Sequence, residues 1–191
     1  LKVNGHVTDK CELIILGGTW TAYPEDYQTW FIQRCYDAFN GHTSKTIDEA
    51  KTVNETADHR VVGLTLETRP DHVTTHEVRR MRWLGATRVQ LGIQSTDVHV
   101  LKLNKRNETR EQQVAANALL KQAGFKITHH LMQGLPGATV ESDTQTARDV
   151  FQTPDYQPDH VKVYPCVVIK PRGYALMVNW NLWQPRFARE H

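Results

Sequence analysis

Two stretches decide the fold: Val61-Val-Gly-Leu-Thr-Leu-Glu-Thr-Arg-Pro70 and Thr87-Arg-Val-Gln-Leu-Gly-Ile-Gln-Ser95. Both alternate with the period of two that belongs to a strand. In the first, Val62, Leu64 and Leu66 oppose Thr65 and Glu67. In the second, Val89, Leu91 and Ile93 oppose Arg88, Gln90, Gly92 and Gln94. Between them, Thr75 to Leu84 reads as a helix stopped by Gly85. Strand, helix, strand in this order implies parallel pairing through a right-handed crossover. Parallel strands buried on both faces normally read as continuous apolar runs. Here the aliphatic face is expected to pack on helices and the other to stay polar.

The same unit extends in both directions. Upstream, Cys11 to Leu16 is a strand closed by Gly17-Gly18. Pro24 is placed as a first helical residue with Glu25 and Asp26 in the first turn. Tyr27, Trp30, Phe31, Cys35, Ala38 and Phe39 form one helical face, so the aromatic residues are expected in the core. Asn40-Gly41 stops that helix. Thr46-x-x-Glu49 predicts a capping box for a second one, with Ile47, Ala50, Asn54 and Ala57 on a shared face. Downstream, a short helix spans about Asp97 to Leu103. Thr109-x-x-Gln112 opens a longer one through Ala123. Phe125 to Met132 is a strand, with Ile127 and Leu131 opposing Thr128, His130 and Met132. A helix covers about Val140 to Phe151. Val161 to Tyr164 is the fifth strand, with Val161 and Val163 opposing His160, Lys162 and Tyr164. A closed barrel fills its interior with aliphatic layers. A polar inner face predicts instead a wide, partly open barrel around a polar ligand.

Composition sets the outer bounds. The 191 residues, 39% hydrophobic and 23% charged, suffice for one domain with a core. The longest aliphatic run is Leu13 to Leu16, far short of a membrane span. Net charge is +2 but uneven: −4 over residues 1–59 and +5 over residues 60–110. A basic middle hints at an anionic partner, against the plainer reading of solvated helix faces. Cys11, Cys35 and Cys166 have no CxxC or CxxxC spacing, which argues against a disulfide framework and a local metal site and suits a reducing cytoplasm. Leu1-Lys-Val-Asn-Gly-His6 reads neither as a signal peptide nor as a natural start, so an upstream segment is expected. The N-x-T triplets at Asn54 and Asn107 would matter only in a secreted protein.

The polar features gather at strand ends: Gly17-Gly18-Thr19, Glu67-Thr-Arg69-Pro70, Gln94-Ser95, Met132-Gln-Gly-Leu-Pro-Gly137 and Tyr164-Pro165. All are carboxyl ends of parallel strands and share the rim where α/β folds bind ligands. Gly17 and Gly18 let backbone carbonyls approach an ammonium. Glu67 accepts from an ammonium or hydroxyls, Gln94 both donates and accepts, and Arg106 can clamp a carboxylate. This combination suits an amino acid moiety. The structural alternatives are a Glu67–Arg69 pair and a Gln94 cap on the next helix. His129 and His130 point to opposite strand faces, so the pair is a poor metal site.

These segments resemble a known family. Glu12-Leu-Ile-Ile-Leu-Gly-Gly-Thr19, Pro24-Glu-Asp-Tyr27, Val62 to Asp71, Leu84 to Ser95, Leu103-Asn-Lys-Arg106, Ala123-Gly-Phe-Lys126, Gly134-Leu-Pro-Gly137 and Val161-Lys-Val-Tyr-Pro165 look, in order, like the radical SAM domain of the Elongator catalytic subunit family. The likeness runs to about Ile169. It implies a partial (β/α)6 TIM-like barrel of the radical SAM type over residues 1–170, lacking its first strand and cluster loop, with a divergent tail at 171–191. It implies S-adenosylmethionine, a [4Fe-4S] cluster and acetyl-CoA as acetyl source, acting in the cytoplasm on C5 of wobble uridine 34 in tRNA. The implied chemistry is reductive cleavage to a 5′-deoxyadenosyl radical, hydrogen abstraction from the acetyl methyl group and addition to the uridine.

By that resemblance, Gly17, Gly18, Thr19, Glu67, Gln94, Ser95, Arg106, His130 and Met132 bind S-adenosylmethionine, with Arg106 on its methionine carboxylate. Arg69, Lys162 and Tyr164 face substrate or tRNA. No catalytic residue is assigned. The family's cluster cysteines lie upstream of the first Gly-Gly strand, so no metal ligand is expected in this chain, which alone would be inactive. Expected partners are tRNA, an acetyltransferase domain of the same parent chain and other Elongator-type subunits, with no membrane. Gln133 stands where the family has proline, and from Pro171 the likeness fades. The alternatives are a radical SAM enzyme of the coproporphyrinogen-dehydrogenase kind, disfavoured by Glu67-Thr-Arg-Pro-Asp71, and a non-catalytic tRNA-binding or scaffold module.

Overall fold

Strands β1 (Lys10–Ile14), β2 (Arg60–Thr68), β3 (Arg88–Gln94), β4 (Lys126–Gln133) and β5 (His160–Pro165) lie side by side in sequence order, every neighbouring pair parallel. This is seen in a computed structural model that describes residues 2–167. The sheet curls into a half-barrel with helices on its outer face. The connecting helices are α1 (Glu25–Asn40), α2 (Ile47–Asn54), α3 (Thr75–Trp83), α4 (Val98–Leu103), α5 (Arg110–Gln122) and α6 (Val140–Gln152). The expected tail at 171–191 and the domain limit at 170 lie outside the described residues.

The aliphatic stripes form the core as the period-two pattern requires. Leu64, Leu66, Val89, Leu91, Ile93, Ile127 and Leu131 are buried in one cluster with Ile32 of α1, Met81 of α3, Leu120 of α5 and Val150 of α6. Each such side chain contributes roughly 1.5–3 kcal/mol by leaving water. Val62, at the amino end of its strand, is about half exposed.

Helix starts follow their signals with two differences. Thr109 and Gln112 cap each other reciprocally. At Thr46 only half of the expected box forms: its hydroxyl accepts from the Glu49 N–H. The Glu49 carboxylate instead accepts from the Lys45 N–H. Pro24 sits just outside α1 as its cap.

The face assigned to α1 is corrected. Tyr27 and Trp30 are 40% and 55% exposed, and the buried residues are Gln28, Ile32, Gln33, Tyr36 and Asp37. Polar anchors turn the helix. Gln28 donates to the Tyr23 carbonyl and accepts from Arg80. Gln33 donates to the Ser44 carbonyl, and Asp37 accepts from the Ser44 N–H. Buried amides and carboxylates with full partners can occupy an interface, and a one-residue shift rotates a helix by about 100°. The displaced rings of Tyr23, Tyr27, Trp30 and Phe31 stack along the surface, with centroids 5.4–5.9 Å apart. Among the described residues no helix is long and apolar enough to cross a membrane.

Candidate functional site

The polar strand faces converge inside the curl. Glu67 Oε1 of β2 lies 3.3 Å from His130 Nδ1 of β4. Lys162 of β5 donates to Gln90 Oε1 of β3 at 3.2 Å. Tyr164 meets the His130 ring edge-on at 5.6 Å. The first two contacts each skip the strand between, so these side chains share one concave face. Burial pushes the His130 pKa down, opposed by the Glu67 carboxylate and assisted by Lys162. A neutral imidazole that gives Nδ1–H to Glu67 leaves Nε2 as a bare lone pair. That Nε2 is buried and has no partner among the described residues.

At the rim, β3 ends under strain. The β3–β4 register shifts between Leu91 and Gln94, and Gln94 takes φ +64°. A non-glycine residue in this region costs about 1–3 kcal/mol, and such residues cluster at functional sites. The Gln94 Oε1 is buried without a partner. Gly92 leaves room beside it: a Cβ there would stand 3.2 Å from Gln94 Nε2 and 3.6 Å from Arg106 Nη2. Arg106 Nη2 donates to the Gly92 carbonyl at 2.5 Å. Its Nε and Nη2 also bind Glu108 Oε1, at 2.8 and 2.7 Å. Arg69 Nη2 reaches the other Glu108 oxygen at 3.3 Å and pairs with Asp71. Among the described residues nothing partners Arg106 Nη1.

Neither structural alternative holds at these positions. Glu67 pairs with His130, and Arg69 with Asp71 and Glu108. The cap of α4 is Asp97, which accepts from the His99 and Val100 N–H groups. Gly17 and Gly18 adopt φ +141° and +100°, with open space where a Cβ would stand. They line a cleft of about 190 Å³ together with Trp20, Tyr23, Tyr27 and Phe31. Thr19 follows, half-buried. Met132 continues the His130 face of β4 beside Tyr164. Ser95 turns away: its hydroxyl lies 3.2 Å from Thr146 of α6 and accepts from the Asp97 N–H.

Two participants went unnoticed in the sequence. Gln90 read only as one polar face residue among several, and Glu108 carried no signal, because its partners are distant in sequence or two residues away in a loop. The thiols do not gather. Cys11 is on β1, Cys35 on α1 and Cys166 follows β5. Burial raises the pKa of Cys35 and Cys166. The one described group with metal-ligand geometry, Glu25, His76 and Glu77, lies on α1 and α3 and is largely exposed.

The Radical SAM superfamily profile matches residues 6–150. The chain belongs to the radical SAM superfamily. It is 51% identical over 190 residues to a protein named tRNA uridine(34) acetyltransferase from Methanocaldococcus infernus, covering all of this chain and 35% of that one. That alignment reaches past Pro171. It is 37% identical over 184 residues to Elongator complex protein 3 of Danio rerio, covering 96% of this chain and 33% of that one. It thus spans about a third of the length of these curated relatives. Among solved structures it resembles the archaeal M. infernus Elp3 with an N-terminal deletion, at TM-score 0.86 and 50% identity, over 88% of this chain and 40% of that one. Escherichia coli HemN shares the fold at TM-score 0.59 and 14% identity, over 83% of this chain and 44% of that one.

Radical SAM membership implies S-adenosylmethionine and a [4Fe-4S] cluster. The concave site fits the first. Gln94 Oε1 and His130 Nε2 are buried acceptors without a partner among the described residues, open to ammonium or hydroxyl donors. Arg106 spends Nε and Nη2 on Glu108 and Gly92 and keeps Nη1 for a carboxylate. At the end of the first strand, Gly17-Gly18 offers bare backbone. The three described cysteines do not fit the second, since a cluster needs thiolates brought together. We expect Gln94→Gly to relieve its backbone strain, raising stability by about 1 kcal/mol in urea unfolding. The same variant should lose affinity for S-adenosylmethionine in calorimetry. A destabilised variant with unchanged affinity would show that the strained turn serves folding.

Proposed function

We propose that this chain is the radical SAM portion of a longer cytoplasmic enzyme that modifies C5 of uridine 34 in tRNA, with acetyl-CoA as co-substrate. The observation that carries it is the 51% identity over 190 residues to a named tRNA uridine(34) acetyltransferase. When bound, S-adenosylmethionine and the cluster supply a 5′-deoxyadenosyl radical. The chain's own residues orient the cofactor. Arg106 Nη1 takes the methionine carboxylate, and the Gly17-Gly18 backbone and Gln94 Oε1 take the ammonium. His130 Nε2, its tautomer set by Glu67, accepts from a ribose hydroxyl. Lys162, Tyr164 and Arg69 face the substrate. The acetyltransferase domain and any Elongator-type subunits contribute the remainder.

The test uses the full-length protein with its cluster reconstituted under anaerobic conditions. Reductant, S-adenosylmethionine, acetyl-CoA and tRNA should yield 5′-deoxyadenosine together with a mass increase confined to uridine 34. The 191-residue chain alone should yield neither. Deoxyadenosine formation with an unmodified uridine 34 under all these conditions would refute the substrate assignment.

A further inference from the structure

We propose that Glu108 is a positioning residue: it aims Arg106 at the carboxylate of the bound cofactor. The inference rests on the Arg106 assignment made under the proposed function. The Glu108 side chain is fully buried, while Arg106 and Arg69 keep 17% and 30% of theirs exposed. One carboxylate therefore sits beneath two guanidinium groups that come from different loops, one after β2 and one after α4. Its Oε1 binds Nε and Nη2 of Arg106, and its Oε2 binds Nη2 of Arg69. With the Gly92 carbonyl also on Nη2, the plane of Arg106 is set and only Nη1 is left for a ligand.

The backbone is held on both sides of Glu108. Lys105 takes φ +56°, and the Arg106 N–H closes onto the Leu101 carbonyl at 2.9 Å to end α4. Thr109 then opens α5 with its reciprocal cap. The carboxylate is thus delivered from a short, fixed segment. Without its charge, Arg69 would keep Asp71 but Arg106 would lose its one carboxylate partner while facing a second guanidinium, and like charges at this range repel. A buried carboxylate satisfied by three charge-assisted donors holds geometry tightly. Arg69 is also matched by Asp71, so the two arginines and two carboxylates balance, and it is the unengaged edge of Arg106 that is left to meet a ligand anion.

The test compares two probes by calorimetry on the full-length chain: S-adenosylhomocysteine, which carries the amino acid carboxylate, and 5′-methylthioadenosine, which lacks it. Glu108→Gln should weaken S-adenosylhomocysteine about tenfold, as loss of one charge-assisted contact does. It should leave methylthioadenosine within about twofold, a difference within the error of independent contacts. Glu108→Asp, one methylene shorter, should fall between, and thermal melting of each variant reports folding. The double variant Glu108→Gln with Arg106→Ala should lose no more than Arg106→Ala alone. Equal weakening of both probes, or of neither, overturns the positioning role. If Arg106→Ala itself fails to separate the two probes, the carboxylate assignment falls instead, and the two failures are told apart.

Discussion

Arg106→Ala is expected to weaken S-adenosylmethionine binding by about ten- to a hundredfold, while tRNA affinity and its salt dependence stay nearly unchanged. A charge-assisted contact between guanidinium and carboxylate contributes roughly 1.5–3 kcal/mol, and about 1.4 kcal/mol is tenfold. Two of the three nitrogens are engaged inside the protein, by Glu108 and by the Gly92 carbonyl. The side chain is therefore held at the rim and is no freely solvated arginine. A phosphate contact would behave differently, since each one lost flattens the salt slope of tRNA binding by about one. Lysine should restore only part of the affinity. Its single ammonium cannot serve Glu108, Gly92 and a ligand together. The measurement is a pair of titrations on the cluster-loaded full-length protein. A fall in tRNA affinity with intact S-adenosylmethionine binding would place Arg106 on the phosphate backbone.

The second large effect concerns stability and pH. His129 is wholly buried on the helix side of β4. Its Nε2 lies 3.0 Å from Asn117 Oδ1 of α5. Both Asn117 amide hydrogens go to the carbonyls of Asp155 and Tyr156. Asn117 Oδ1 must therefore accept, His129 Nε2 carries the proton, and Nδ1 is a bare lone pair with no partner among the described residues. Burial, helped by the charges of Lys121 and His130, pushes its pKa down to about 3.

The unfolded chain binds this proton near pH 6.5 and the folded protein only near pH 3. Between the two the unfolded state holds more protons, so stability is full above pH 6.5 and drains as pH falls toward 3. The expected loss is about 2 kcal/mol between roughly pH 7.5 and 5, from one group at about 1.36 kcal/mol per unit. Asp149 and Asp159 also have lowered pKa values, but they titrate below this window. Urea unfolding at the two pH values measures it. His129→Gln, which keeps an amide donor for Asn117, should remove most of the slope at a fixed cost in stability. The downward shift at His130 leaves a slope of the same sign behind. An unchanged slope in the variant would assign the acid sensitivity to other groups.

Sequence alone determined the elements and the layering. Alternation at Leu64, Leu66, Val89, Leu91, Ile93, Ile127 and Leu131 selects the strand face that packs on the helices, because a period of two puts all of these side chains on one side. It also puts Glu67, His130 and Lys162 on the opposite face, and glycine and capping signals end most elements within a residue or two, whereas α2 stops at Asn54, short of the Ala57 expected on its face. The tertiary structure decided what long-range partners decide. The buried face of α1 depends on Ser44, Tyr23 and Arg80, which satisfy Gln33, Asp37 and Gln28. No helical period contains those residues. The pairing of Glu67 with His130, rather than with nearby Arg69, depends on the curl that brings β2 over β4. Ser95 turns toward α6 because Thr146 and the Asp97 N–H both engage its hydroxyl. Glu108 gains its place between Arg69 and Arg106 only when the loops after β2 and α4 meet at one rim. Periodicity reports local burial, whereas a hydrogen-bond network reports which segments the folded chain has brought together.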